Sequence, residues 1–93
     1  MFTNPKVNMV ACDEGFSVEV LGRTGIEYRE GSKSAFVDSE VLATGRGIAV
    51  FKDSIKGWRP PHDKEAISAE QRQRILDNIR RAISFKNQPV EIL

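Results

Sequence analysis

Residues 68 to 85, "SAEQRQRILDNIRRAISF", decide the fold. Ile75, Leu76, Ile79, Ala82 and Ile83 recur at three- and four-residue spacing, and the stem of Lys86 extends the line. That spacing puts them on one stripe of an α-helix. Ser68, followed by Gln71, predicts a capping box, in which hydroxyl and amide satisfy two otherwise unpaired backbone donors. Asn87 and Pro89 end the helix. Glu70 with Arg74, and Asp77 with Arg81, are acid-first pairs at four-residue spacing and predict ion pairs along the wet side. A helix with one apolar stripe needs an apolar face to lie on. Each large aliphatic side chain buried there contributes roughly 1.5–3 kcal/mol, so the stripe fixes where the helix lies.

The chain before the helix supplies that face. "MVAC" (9–12) is apolar and stops at the Asp13-Glu14-Gly15 turn. In "FSVEVL" (16–21), Phe16, Val18 and Val20 alternate with Ser17 and Glu19; in "GIEYRE" (25–30), Ile26 and Tyr28 alternate with Glu27 and Arg29. Period two marks a strand with one wet face. In "AFVDSEVLAT" (35–44), Ala35, Val37, Val41 and Ala43 share a parity with Ser39, and "IAVFK" (48–52) is apolar enough to be buried on both faces. Gly22, Gly25, Gly45 and Gly47 read as hairpin turns, and tight turns join antiparallel neighbours. Val90 to Leu93 alternates and fits a strand at the sheet edge. The expected fold is α+β: an antiparallel meander of four to five strands, covered by one long C-terminal helix, with a short terminal strand.

Ninety-three residues make a single domain, 1–93, with one modest core and no room for a deep internal cavity. The hydrophobic share of 40% argues against disorder. A formal charge of +1 implies neither nucleic acid nor an acidic substrate. Arg72, Arg74, Arg80 and Arg81, with Lys56, Arg59 and Lys64 before them, interleave with Asp63, Glu70 and Asp77 and read as a solvated helix face. Cys12 is alone, which excludes an intrachain disulfide and Cys-rich zinc sites and fits a small buried apolar residue in a reducing compartment. Residues 1–15 show no apolar targeting segment, and an apolar run as short as Met9 to Cys12, which no other exceeds, cannot span a membrane. The expected location is cytoplasmic, with no membrane partner. "GRTG" and "TGRGIAV" lack the Gly-Lys-Ser/Thr element of a phosphate loop.

"GWRPPHDKEAIS" (57–68) holds the only Trp and the only His beside two consecutive prolines. The prolines fix two φ angles and bias Arg59 and Pro60 toward an extended course, which stiffens the segment. Trp58 can plug the open end of the sheet–helix sandwich, or it can stand out as part of a recognition edge. Trp and Arg are enriched at binding hot spots, and rigidity lowers the ordering cost of binding. The expected contact region is Trp58, Arg59, His62, Asp63 and Glu65. The alternatives are a small hydrolase or metal-dependent enzyme using His62, Asp63 and Glu65, and a homodimeric module pairing through the edge Val90–Leu93.

Residues 50 to 79, "VFKDSIKGWRPPHDKEAISAEQRQRILDNI", combine a lysine-bearing strand, an Asp-Ser-Ile turn, Trp-x-x-Pro, an acidic patch and an Ile-Ser-capped helix anchored by Ile-Leu and Ile. This segment resembles the C-terminal half of small α+β immunity proteins found beside bacterial polymorphic-toxin genes. The resemblance implies a protein that is not an enzyme, carries no cofactor, and binds and neutralises a cognate toxin. A basic toxin site would need a local acidic patch, supplied by Glu27, Glu30, Asp38 and Glu40 on the sheet or by Asp53, Asp63 and Glu65 near the loop.

Overall fold

A computed structural model describes residues 1–42 and 47–93. Among the described residues, seven strands form one sheet in chain order: β1 (Phe2–Lys6), β2 (Met9–Cys12), β3 (Phe16–Val20), β4 (Gly25–Glu30), β5 (Lys33–Val41), β6 (Ile48–Val50) and β7 (Val90–Ile92). Between β6 and β7 in the chain lie a 3-10 turn (Lys52–Ser54) and the α-helix α1 (Ala69–Phe85). The α+β fold is as expected from the sequence. Strands β1 to β6 pair antiparallel, whereas β7 pairs parallel with β6. Parallel neighbours need a long crossover, and α1 with the segment before it is that crossover.

Strand β1 is an addition to the expected meander. It is mostly exposed and contains Pro5, which an edge strand tolerates because one side of its backbone needs no ladder partner. Phe2 is its one large apolar residue; the ring lies 6.1 Å from Phe16 and 5.5 Å from Phe85, tying the first strand to the last turn of the helix.

The register keeps one set of side chains on the helix side. Val10 stands opposite Val18, Val18 opposite Tyr28, Tyr28 opposite Ala35, and Ile26 opposite Val37. All are buried, as are Ile75, Leu76, Ile79, Ala82 and Ile83 on the helix. Strand β6 is buried at all three positions, matching its continuous apolar sequence. The packing is incomplete at one end, where an open cleft of about 260 Å³ is bordered by Val7, Val10, Val20, Val41, Ile48 and Ile83.

Both ends of α1 follow from local chemistry. The Ser68 hydroxyl accepts from the Gln71 amide N–H at 3.1 Å, and the Gln71 side chain accepts from the Ser68 N–H at 2.9 Å. Asn87 takes a positive φ of 60°, and the N–H groups of Asn87 and Gln88 donate to the carbonyls of Ser84 and Ile83. This double bond pattern closes the last turn.

Of the expected turn glycines, Gly25 departs from that role, while Gly47 lies in the connection between β5 and β6. Gly25 begins β4 rather than a turn, and a Cβ there would sit 2.7 Å from the Phe36 ring. Gly47 has φ 144°, and a Cβ there would stand 2.8 Å from the Pro89 carbonyl. The turn assigned to Gly45 and the inward parity of Ala43 lie outside the described residues.

Candidate interaction site

Strand β5 is longer than its neighbours and changes partner along its length. Lys33–Asp38 pairs with β4, and only Ser39–Val41 pairs with β6. The outer edge of its first half is therefore open to the segment after β6. The N–H of Phe51 donates to the Asp38 carbonyl at 3.0 Å, the Asp38 N–H donates to the Ser54 hydroxyl at 2.8 Å, and the Arg59 N–H donates to the Ser34 carbonyl at 2.8 Å. Residues 51 to 59 thus run along the β5 edge and satisfy its backbone.

The loop is pinned below by its hydrophobic residues and above by charge. Ile55 and Trp58 are buried in the core cluster, at 1% and 4% exposure. Trp58 therefore sits in the plugging position; its indole N–H meets no acceptor among the described residues. Beyond it come two successive tight turns, with the His62 N–H donating to the Arg59 carbonyl and the Glu65 N–H to the His62 carbonyl, each at 3.0 Å. The Glu65 carboxylate accepts from the Lys33 ammonium at 2.7 Å, and this bond holds its pKa below the ordinary carboxylate value. Lys33 also stands 5.6 Å from the Trp58 ring centroid, a cation–π distance.

The five residues singled out by sequence thus separate by depth. Arg59, Asp63 and Glu65 are exposed, His62 is half-buried, and Trp58 is the anchor beneath them. Among the described residues, no group of three His, Cys, Asp or Glu side chains stands close enough together to hold a metal ion.

Arg59 leaves the loop and crosses onto the face of the sheet that turns away from α1. Its guanidinium lies 5.6 Å from the Phe36 ring centroid and 3.5 Å from a Glu27 carboxylate oxygen. Arg29 reaches the same Glu27 carboxylate at 3.0 Å. The two cations share one anion that is 13% exposed. The outward residues of β4, β5 and β7 include Glu27, Arg29, Phe36, Asp38, Glu40 and Glu91.

The opposite rim is built differently. Arg74 and Arg81 do not form the expected pairs with Glu70 and Asp77. Arg74 grips Glu30 with two bonds of 3.1 and 2.6 Å, and Arg81 grips Glu14 with both guanidinium nitrogens, one at 3.1 Å. Bidentate geometry on a sheet carboxylate wins over a single flexible bond along the helix. Asp77 accepts from Gln73 instead. Glu30 was expected with Glu27 in one sheet patch, but its parity puts it on the helix side.

Between these pairs lies a polar cleft of about 450 Å³ lined by Glu14, Phe16, Glu30, Arg74, Asn78 and Arg81. At its base the buried Tyr28 hydroxyl donates to Glu30 at 2.7 Å and accepts from Asn78 at 2.9 Å. Burial pushes the Tyr28 phenol well above its usual pKa. Burial would also raise Glu30, but the bonds from Arg74 and Tyr28 more than offset this, and its carboxyl sits below the ordinary value. The Arg81 guanidinium holds Glu14 low as well.

Among the described residues, a sheet with one face covered by a helix and a loop along the β5 edge makes a two-layer α+β fold. The chain belongs to the Immunity protein 74 family, whose model matches residues 17–92. The match extends into the strands of the first half, well beyond the segment whose residues carried the resemblance. No curated protein and no solved structure matches the chain.

Proposed function

We propose that this protein neutralises a toxin by binding it and catalyses no reaction. The observation that carries this reading is membership of an immunity-protein family over residues 17–92. The geometry of the loop supports it. Arg59, His62, Asp63 and Glu65 form the contact region on a segment held by Trp58 below and by Lys33 at its side. A segment already ordered loses little freedom when a partner arrives. Trp58 contributes by holding the loop in place rather than by touching the toxin.

The toxin is the product of a neighbouring gene, and neutralisation takes place in the cytoplasm of the bacterial cell that makes both. No helix among the described residues is long and apolar enough to cross a membrane. Co-expression with the neighbouring gene product tests the proposal. The expected result is rescue of growth together with co-purification of the two proteins. The absence of both rescue and co-purification would remove it.

A further inference from the structure

The loop is one border of a larger surface, the sheet face away from α1. Along β4, β5 and β7 the charged residues on that face are Glu27, Arg29, Asp38, Glu40 and Glu91. Glu27 is engaged by Arg29 and Arg59. Asp38, Glu40 and Glu91 are exposed, and no ion pair engages them among the described residues. On the helix side, by contrast, Glu14 and Glu30 each hold a cation of the same chain.

Phe36 stands between the two groups, out of phase with the buried Ala35 and Val37 and 38% exposed. Its ring lies against Gly25, where a Cβ would come within 2.7 Å, and the Arg59 guanidinium lies 5.6 Å from its centroid. The Arg59 backbone is held by its bond to Ser34, and its guanidinium lies 3.5 Å from Glu27. An aromatic and a guanidinium are the residue types from which interface hot spots are made.

We infer that the toxin docks on this outer sheet face, with Phe36 and Arg59 at the centre of the contact, and that the docking surface of the toxin is basic, opposing Asp38, Glu40 and Glu91. The inference rests on the toxin-binding reading above and adds to it the surface and the charge of the partner. Complementary charge sets which partner is accepted and how fast it arrives, while the central aromatic carries much of the hold.

Binding of the purified neighbouring gene product to the wild type, to Phe36→Ala, to the double variant Asp38→Lys with Glu40→Lys, and to Arg80→Glu on the exposed helix surface tests it. Thermal melting of each protein is read alongside. The expected result is that Phe36→Ala and the double lysine variant each bind at least about tenfold more weakly, with melting unchanged for the lysine variant. Arg80→Glu binds as the wild type does. If the wild type binds and the lysine variant binds equally well, the surface assigned here is wrong while toxin binding stands. If the wild type does not bind at all, both fall.

Discussion

The two faces of this sheet use the same kinds of side chain for opposite ends. On the helix side, Glu14 and Glu30 each meet an arginine of α1, and the buried Tyr28 hydroxyl links Glu30 to Asn78. Charge there is closed on itself and joins sheet to helix. On the outer side, Asp38 and Glu40 of β5 and Glu91 of β7 point to solvent. The strand pattern that buries Val37 necessarily turns Phe36 and Asp38 outward. Residues that complete the fold and residues free to meet a partner can therefore be separated by parity, and substitutions on the two faces should behave differently.

The largest effect is expected from the apolar stripe. Ile79 is fully buried, so Ile79→Ala should cost about 2–5 kcal/mol in chemical denaturation. A loss below about 1 kcal/mol would mean that α1 does not lie on the inner face. Next comes the polar link. Tyr28→Phe leaves Asn78 without its acceptor, and a drop of about 1–3 kcal/mol is expected in the same measurement; no change would show that the link holds nothing.

Acid should act on the helix side. Glu14 and Glu30 have pKa values below those of the unfolded chain, so the unfolded state takes up protons first as pH falls. Their contribution is fully present above the unfolded carboxylate pKa and is lost as pH falls through the lower folded values. The melting temperature should decline through that acidic window, and the decline should be shallower in a double variant, Arg74→Gln with Arg81→Gln. An equally steep decline would assign acid sensitivity to other carboxylates.

The smallest effect probes the outer face. Gly25→Ala forces the Phe36 ring aside and should cost about 1 kcal/mol, in the lower range for overpacking because the ring is half in solvent. In a Phe36→Ala background the cost should disappear, and a double-mutant cycle reads the difference. A cost that persists would place the strain in the backbone of β4.

What the sequence disclosed divides along the range of the interactions involved. The helix was legible because its stripe, its capping box and its Asn87 terminus all lie within a few residues of one another. Strands β3 to β5 were legible through alternation, and β2 and β6 as short apolar runs. Strand β1 was not, because one phenylalanine and a proline make no period. The partners of Arg74 and Arg81 were not either: they lie far away in the chain, whereas Glu70 and Asp77 offered themselves four residues off. Residues 59 to 65 are joined by consecutive turns, which short range makes legible, but the parting of the Arg59 and Glu65 side chains and the depth of Trp58 are tertiary facts. Phe36 went unremarked, although an aromatic on the wet parity of β5 was the available signal.

The parallel pairing of β7 with β6 has a consequence for how the molecule holds together in time. Strand β6 meets β5 over only Ser39–Val41, and its other flank is filled by a strand that the chain reaches only after passing through α1. Detaching the helix would therefore also withdraw β7 and leave β6 a short, half-paired ribbon. Helix, sixth strand and seventh strand should therefore open together, and amide hydrogen exchange would read them as one unit.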